Sequence, residues 1–485
     1  MCLSLEEWSG KPVCRQAGVS LSSLQTGETF SILDTMKICI INNLYPPLAR
    51  GGAEQVVEKT VEALLEAGHS VVLVTLSGEK ISKYTHRQST QAPKHESTKA
   101  LEHLSTKARE HESTLSLWTF SYRPKNLFFY TDAHRHSFFA RLIWHIVDMF
   151  HFGSARFVRG VLEEEQPDVV HTHNLMGLGF LIPRAIRQLY IRHVHTVHDV
   201  QLVEPSGIIL KQQEDSFRYK GFPTRMYVWM MRRLMGSPDV VISPSNFLLD
   251  FYGKWKFFPK SEFVQLRNPM TFGLRRQQTT DSRQQSHEIF RFFYIGQVEE
   301  HKGVRFLVET FRRWIEDMAA SNNPSSSPLL EGEGMIELHI VGDGSKLEEI
   351  RQCADGCEQV VIHGRVGRDA LPALFEQADM VIAPSLCYEN SPTVIFESFA
   401  FGVPVLASNI EGIAELIEEG ENGLTFAAGD VDSLKEKLRW CVSHREDVKR
   451  MGERTSEFLE EFSVEGYVGE LEGWYHSSSS KIDAR

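Results

Sequence analysis

Short runs of apolar, largely β-branched residues alternate with longer helical segments along most of this chain. Residues 36–43 (M-K-I-C-I-I-N-N) form the first run, a helix is predicted at about residues 53–67, and residues 70–75 form the second run. Because two strands joined through a helix lie parallel in one sheet, this β-α-β unit predicts an α/β fold with a parallel sheet. Further strands are predicted at residues 168–173, 192–199, 239–245 and 262–269.

The alternation divides the chain into two series of strands and helices. The first ends before a polar stretch at residues 277–286, and the second begins at residues 290–296. A chain of 485 residues is long enough for two domains with separate cores. We therefore predict two doubly wound parallel-sheet domains that face each other across a cleft. The predicted boundaries are residues 1–35 for a disordered extension, 36–275 and 287–455 for the two domains, 456–476 for a helix returning to the N-terminal domain, and 477–485 for a disordered tail.

An insertion interrupts the first series at about residues 79–114. It carries an eight-residue repeat whose copies begin at His95, His103 and His111. The repeated histidines are compatible with metal binding, but a polar repeat with almost no apolar residues cannot bury a core. We therefore favour a disordered or weakly helical insertion over a metal site.

The composition excludes several classes of protein. A net charge of −12 argues against a nucleic-acid partner held by a basic face. No apolar stretch approaches the length of a membrane-spanning helix, and the N-terminus has no charged-then-apolar leader pattern. The seven cysteines are scattered without a C-x-x-C pair, which indicates reduced thiols. These features predict a cytoplasmic protein.

Two carboxylates bracket the run E-N-S-P-T-V-I-F-E, from Glu389 to Glu397. Asn390 and Ser391 offer a helix N-cap, and Pro392 suits the first helical position. A helix that begins there presents free backbone N–H groups and a positive dipole end, which bind phosphate readily. A carboxylate on each side of a diphosphate suits hydroxyl recognition, one for a sugar and one for a ribose. The alternative is a pair of solvated surface carboxylates, which the surrounding strand, cap and helix disfavour.

Two further positions suit phosphate binding. Gly51 and Gly52 lie in the first strand-to-helix loop, where glycines let the backbone approach a ligand closely. Lys302 precedes a glycine and a helix, and its compact charge is placed to neutralise a phosphate. The alternatives are an ordinary tight turn and a solvated lysine. There is no G-x-G-x-x-G, so a nicotinamide fingerprint is not supported.

Several polar residues also raise the question of a metal. His198 ends one predicted strand, and His171 and His173 end another, so histidines gather at one sheet edge. We favour a functional role for His198 and less so for His173, and we disfavour a metal. Asp430 and Asp432 form a D-x-D, but they precede a predicted helix, and helix capping is the favoured interpretation.

Taken in order, these motifs resemble the retaining glycosyltransferases of family 4, the glycosyl transferases group 1. Those enzymes have two Rossmann-like domains, the B-type glycosyltransferase fold. The resemblance covers roughly residues 36–462. It is carried by G-G-A-E, H-T-V-H-D, S-P-S-N-F, G-Q-x-x-x-H-K-G, V-G-D-G and, most specifically, E-N-S-P-T-V-I-F-E-S-F-A-F-G-V-P-V.

The resemblance implies a role for each matching residue. Glu389 would hold the hydroxyls of the donor sugar, Glu397 the nucleotide ribose, and His198 would lie beside the transferred sugar. Lys302 and the amides at the helix start would bind the diphosphate, with the glycine loop facing it. The implied catalytic residues are His198, Lys302 and Glu389, and the implied donor-binding residues are Gly51, Gly52, Gln297, Lys302, Glu389, Asn390, Ser391, Pro392, Thr393, Val394 and Glu397.

One position departs from the family pattern. The family usually has an arginine where this chain has Gln297, and a neutral amide supplies no charge to a leaving diphosphate. Lys302 and the helix dipole must then supply more of the positive charge around the diphosphate. A retaining transferase without a placed nucleophile can react on one face of the sugar, with the leaving diphosphate oxygen accepting the acceptor's proton. We therefore expect transfer of a hexose-type sugar from a nucleotide-diphosphate sugar, with no metal and no further cofactor.

The sequence gives much less information about the acceptor. Residues 128–159 are rich in aromatic residues, histidine and arginine, and residues 226–235 are apolar with adjacent arginines. Both stretches suit contact with a membrane surface or a lipid-linked acceptor, although we favour amphipathic helices that pack on the sheet. The predicted acceptor is therefore a hydroxyl of a glycan, a lipid-linked molecule or a small molecule, with peripheral contact to the inner membrane face as one option.

Two other functions remain open on the sequence alone. One is a nucleotide-sugar epimerase-like enzyme, which would need no acceptor. The other is a catalytically silent nucleotide-sugar-binding protein, which the glutamine at position 297 permits. The intact glutamates, lysine and histidine of the motifs argue against it.

Overall fold

The computed structural model describes residues 35–48, 51–78, 84–89, 116–272, 289–320 and 335–477. Most of the predicted N-terminal extension, the polar linker at residues 277–286 and nearly all of the predicted tail lie outside the described residues. None of the described helices is both long enough and apolar enough to cross a lipid bilayer.

The described residues form fourteen strands and fourteen α-helices, joined in places by short 3-10 turns. The strands are β1 (Lys37–Ile41), β2 (Ser70–Leu76), β3 (Tyr84–Ser89), β4 (Ser116–Tyr122), β5 (Val169–Thr172), β6 (Arg192–Thr196), β7 (Val240–Ser243), β8 (Glu262–Gln265), β9 (Ile289–Ile295), β10 (Met335–Val341), β11 (Val360–Gly364), β12 (Met380–Ala383), β13 (Val405–Ser408) and β14 (Gly423–Phe426). The helices are α1 (Gly52–Glu66), α2 (Phe138–Met149), α3 (Phe152–Glu165), α4 (Ile182–Gln188), α5 (Phe217–Lys220), α6 (Phe222–Met235), α7 (Asn246–Lys254), α8 (Val304–Ala320), α9 (Leu347–Ala354), α10 (Leu371–Phe375), α11 (Thr393–Ala400), α12 (Val431–Ser443), α13 (Arg445–Arg454) and α14 (Val464–His476).

The strands assemble into two sheets. The first has eight strands in the order β3-β4-β2-β1-β5-β6-β7-β8, and the second has six in the order β11-β10-β9-β12-β13-β14. All neighbouring strands are parallel except β3 and β4. In each sheet the chain starts at a central strand, winds outward to one side and then to the other, which confirms the predicted doubly wound α/β class. Ligands of such sheets bind where the order reverses, at the carboxyl ends of β1 and β5 and of β9 and β12.

The insertion at residues 79–114 is partly a strand. Tyr84–Ser89 pairs antiparallel with Ser116–Tyr122, from Tyr84 opposite Ser121 to Ser89 opposite Ser116. The prediction of disorder is therefore wrong for these six residues. An edge strand forms through backbone hydrogen bonds, which need no apolar side chains, and the apolar count misses this. The histidine repeat, with its metal-binding alternative, lies outside the described residues.

The last helix, α14, packs on the N-terminal sheet. Its buried residues Leu471 and Tyr475 share one hydrophobic cluster with Ile38 of β1 and Val57 of α1. Arg192 reinforces this contact, since its guanidinium donates to the carbonyl oxygen of Trp474 at 2.6 Å. Helix α14 therefore completes the core of the N-terminal domain.

Leu471 tests this packing. Its side chain is fully buried, so Leu471→Ala should lower the free energy of unfolding by about 2–5 kcal/mol, through lost burial and a cavity. Urea unfolding measures the change. Leu142→Ala is the control, because Leu142 is 48% exposed in the same domain. Equal stability of the two variants would mean that α14 does not contribute to this core.

Candidate active site

Residues of both domains line a cleft of about 500 Å³. His198 and Asp199, which follow β6, and Phe247 of α7 lie on the N-terminal side. Lys302, which follows β9, and Glu389, which follows β12, lie on the C-terminal side. The cleft therefore opens where the order of the second sheet reverses, and it joins the three residues predicted to act on the sugar and diphosphate.

Lys302 and Glu389 form an ion pair in this cleft. The lysine Nζ lies 2.6 Å from Oε1 of Glu389, which also accepts a hydrogen bond from the Ser385 hydroxyl at 3.0 Å. Burial lowers the pKa of Lys302, but the adjacent carboxylate outweighs burial and holds this pKa above its ordinary value. Gly303, with φ of +73°, lets the backbone after Lys302 lie close to the backbone before Glu389. A Cβ at this position would lie 1.8 Å from the carbonyl oxygen of Pro384.

The helix predicted after Glu389 is α11. It begins at Thr393 with Pro392 at the N-cap, so the prediction of a cap at Asn390 or Ser391 with Pro392 as the first helical residue is wrong. The fixed φ of proline suits the cap here, and the Ser391 hydroxyl is buried without a hydrogen-bond partner among the described residues. Glu397 lies in the second turn, as predicted.

Glu397 is buried behind the start of α11. Its carboxylate accepts a hydrogen bond from the Thr271 hydroxyl at 2.5 Å and lies 3.7 Å from the Arg368 guanidinium. Burial raises the pKa of Glu397, and the hydroxyls of Thr271 and Thr393 and the charge of Arg368 partly offset this rise. Sequence reasoning missed Thr271 and Arg368, because no motif or regular spacing connects them to Glu397.

The glycine loop lies against the C-terminal domain. A Cβ built on Gly52 would lie 2.9 Å from Cγ2 of Thr393, and one built on Gly51 would lie 3.6 Å from Nε2 of Gln297. A larger residue at position 52 would therefore push against the start of α11. The structure thus brings together Gly51, Gly52, Gln297 and the first turn of α11, which also contains Val394.

Asn390 bridges the two domains. Its amide nitrogen donates to the carbonyl oxygens of Val197 at 3.3 Å and of His198 at 3.2 Å. Its amide oxygen accepts a hydrogen bond from the Ser245 hydroxyl. The side chain predicted to contact the donor therefore holds the end of β6 and the start of α7 against the C-terminal domain.

Glu415 forms a second bridge that sequence reasoning missed. Its carboxylate accepts hydrogen bonds from the backbone N–H groups of Phe247 at 2.7 Å and Asn246 at 2.9 Å, the first two residues of α7. An acidic side chain suits the positive end of a helix, and it satisfies N–H groups that have no partner within the helix. No sequence pattern predicts a capping residue that lies this far from the helix it caps.

The histidines behind the cleft are hydrogen-bonded to one another and to hydroxyl groups. Nε2 of His198 shares a hydrogen bond of 3.0 Å with Nδ1 of His173. The two ring nitrogens of His171 lie 2.7 Å from the hydroxyls of Tyr475 and Thr196. Burial lowers the pKa of His171 to about 3 and that of His198 to about 4, so both rings are neutral at pH 7. His171 therefore has no ring nitrogen left for a metal.

The D-x-D serves as a helix cap. Asp430 is the N-cap of α12, and its carboxylate accepts a hydrogen bond from the backbone N–H of Ser433 at 2.9 Å. This confirms the capping interpretation. Within the described part of the chain, no group of three or more His, Cys, Asp or Glu side chains is arranged to hold a metal ion.

The buried neutral state of His171 predicts a pH dependence. The folded protein keeps this ring neutral down to about pH 3, whereas the unfolded chain protonates it below about pH 6.5. Acidification from pH 7 to pH 5 therefore stabilises the unfolded state, by about 2 kcal/mol for one such histidine. His171→Gln should lose correspondingly less stability than the wild type over this range, as measured by urea unfolding at both pH values. His444→Gln, at an exposed position, should behave as the wild type. An equal loss of stability in all three proteins would contradict a buried neutral His171 in the folded state.

Two family models match the chain. Residues 289–444 match the model described as Glycosyl transferases group 1, and residues 51–269 match the Glycosyl transferase 4-like domain. Glycogen synthase from Mycobacterium tuberculosis is 24% identical over 413 residues, which are 83% of this chain and 85% of that protein.

Solved structures share the fold. Sucrose-phosphate synthase from Thermosynechococcus elongatus has a TM-score of 0.63 at 16% identity, covering 91% of this chain and 98% of that one. The protein HepE from Anabaena, solved in complex with UDP, has a TM-score of 0.58 at 16% identity, covering 90% and 99%.

Two doubly wound domains with one cleft between them define the B-type glycosyltransferase fold. The chain belongs to the glycosyl transferases group 1, family 4, and is a glycosyltransferase. This confirms the resemblance that the motifs carry.

Proposed function

We propose that this glycosyltransferase moves a hexose from a nucleotide-diphosphate sugar to an acceptor hydroxyl, with retention of the anomeric configuration and without a metal ion. The observation that carries the proposal is the Lys302–Glu389 ion pair in the cleft, opposite His198 and close to the start of α11. The relative HepE, which was solved with UDP bound, supports a nucleotide donor.

The diphosphate binds at the start of α11. The backbone N–H groups of Thr393 and Val394 lie in the first turn, where the helix dipole is positive. The buried, unpaired Ser391 hydroxyl is a further donor beside them. Lys302 adds a full positive charge, while the glycine loop lets backbone N–H groups approach from the other domain. These groups replace the charge that an arginine at position 297 would supply.

The sugar and the ribose occupy opposite ends of this phosphate site. Glu389 accepts hydrogen bonds from the sugar hydroxyls, and its ion pair with Lys302 orients it. Glu397 accepts hydrogen bonds from the ribose hydroxyls, assisted by the neighbouring Arg368. His198 lies across the cleft as a neutral ring, so it contacts the sugar through hydrogen bonding rather than charge.

The reaction proceeds on one face of the sugar. The bond between the anomeric carbon and the diphosphate oxygen breaks, and the acceptor oxygen bonds to the anomeric carbon from the same side. The leaving diphosphate oxygen takes the acceptor's proton, so the products are a glycoside and a nucleoside diphosphate. Preorganised positive groups stabilise the charge that grows on the diphosphate, which leaves no step that requires a metal.

A panel of nucleotide-sugars tests this function. The enzyme is incubated with each donor, with and without an extract of glycans and lipids as acceptor, and nucleotide release is measured with EDTA present. The proposal expects acceptor-dependent release that EDTA does not suppress. Interconversion of the donor sugar without nucleotide release would indicate an epimerase-like enzyme. Donor binding without any reaction would indicate a silent binding protein. Loss of activity with EDTA, restored by manganese or magnesium, would overturn metal independence.

Substitutions of Lys302 and Glu389 should have different effects on nucleotide binding and turnover. Lys302→Ala should weaken binding of the free nucleoside diphosphate and lower turnover by about a hundredfold, because it removes a preorganised charge from the leaving group. Glu389→Ala should lower turnover while leaving nucleoside-diphosphate affinity nearly intact. Calorimetric titration and initial rates measure the two effects. Lys435→Ala is the matched control, since Lys435 forms a similar ion pair of 2.6 Å with Asp317 outside the cleft. A Lys302→Ala enzyme that matches this control would remove the phosphate site.

Glu397 should act on the nucleotide alone. Glu397→Ala should weaken binding of the nucleotide and of the nucleotide-sugar by similar factors, at a cost of roughly 1.5–3 kcal/mol for lost charge-assisted hydrogen bonds. Glu397→Gln is the companion variant, because it keeps the shape and the contact with Thr271 but lacks the charge. A folded Glu397→Ala protein with wild-type nucleotide affinity would rule out the ribose role.

A further inference from the structure

One side of α2 is apolar and faces away from the protein. Trp144, Asp148 and Met149 are its buried residues, and the apolar residues at positions i, i+1, i+4, i+5, i+8 and i+9 from Phe138 are all exposed. Phe139 is 73% exposed and Ile143 is 52% exposed. Helix α2 therefore packs on the core through Trp144 and Met149, as expected of an amphipathic helix, but most of its apolar residues are exposed.

Helix α6 repeats the arrangement. Phe222, Met226 and Trp229 follow one another at spacings of four and three residues, which places them on one exposed helix face. The opposite face, with Tyr227 and Met231, is buried. The buried sides of α2 and α6 contribute to the same hydrophobic cluster, so both exposed faces belong to one region of the N-terminal domain.

Positive charge accompanies these apolar residues. Helices α2 and α6 together contain four arginines and one acidic residue, Asp148, in a chain of net charge −12. Asp148 is buried and accepts hydrogen bonds from the backbone N–H of Gly177. Arg135, Arg141 and Arg156 are exposed and form no ion pair with any described residue. The exposed sides of α2 and α6 therefore carry positive charge on an acidic protein.

This apolar and cationic region lies near the mouth of the cleft. Arg218 of α5, which immediately precedes α6, donates to Glu204 at 3.3 Å. Glu204 also accepts a hydrogen bond from Ser206 at 2.9 Å, and the next two residues, Gly207 and Ile208, line the cleft. One short loop thus connects the patch to the cleft.

We propose that the exposed faces of α2 and α6 form a docking surface for an anionic lipid bilayer. Exposed aromatic and aliphatic side chains enter the boundary between headgroups and acyl chains, while the arginines pair with lipid phosphates. A second copy of the chain fits less well, because α2 and α6 carry exposed arginines and no exposed acidic side chain, so two such surfaces would bring like charges together. Docking requires only this surface and is independent of the chemistry proposed for the cleft.

Vesicle sedimentation tests the proposal. The full-length protein should sediment with vesicles of phosphatidylglycerol and phosphatidylcholine but much less with phosphatidylcholine alone, and added salt should weaken the binding. Phe139→Glu combined with Ile143→Glu should weaken binding by about tenfold or more, because both side chains lose apolar burial. Arg135→Glu combined with Arg141→Glu should remove the preference for anionic vesicles. Trp229→Glu tests α6 in the same way.

Met335→Glu is the control for a general effect of added negative charge. Its position is 63% exposed on the other domain, so this variant should bind vesicles as the wild type does. All the variants change exposed side chains, and each should keep the wild-type melting temperature and nucleotide affinity. Absence of binding to anionic vesicles, or equal binding by the patch variants and Met335→Glu, would overturn the proposal. So would a wild-type dimer in solution that the patch variants convert to a monomer.

Discussion

Polar side chains of the C-terminal domain hold the cleft together by bonding to backbone groups of the N-terminal domain. Asn390 satisfies carbonyl groups at the end of β6, and Glu415 satisfies the first N–H groups of α7. These groups would otherwise remain unpaired at a strand end and a helix start, at a substantial energetic cost if water were excluded. Together with the backbone hydrogen bonds from Tyr388 to Ile209 and from Lys211 to Leu386, these bonds fix the position of His198 relative to Glu389.

The ion pair of the cleft lies beside neutral histidines. Lys302 and Glu389 form an ion pair, whereas His198 and His173 are held neutral by burial. Under the proposed function, a diphosphate in this site meets Lys302 and the start of α11 rather than a diffuse field. Such preorganised groups stabilise growing charge without first reorganising solvent. The exposed arginines of α2 and α6 lie on the protein surface, where they suit an extended anionic partner.

The strand pattern predicted most of the fold. Period and composition identify a buried strand such as β1 because its apolar side chains are needed for the core. They miss β3, whose pairing with β4 uses backbone groups that every residue has. The cap of α11 was wrong by one residue, since Ser391 and Pro392 are both acceptable at a helix start and the local sequence does not choose between them.

The sequence by itself determined the two-domain α/β class, the glycine loop, and the placement of Lys302, Glu389 and Glu397 at strand or helix ends. Those features follow from local periodicity and residue chemistry. Only the tertiary structure decided that Thr271 and Arg368 surround Glu397 and that the apolar side of α2 faces outward. A contact between distant residues leaves no local pattern. An apolar helix face shows which residues share a side, but not whether another element covers it.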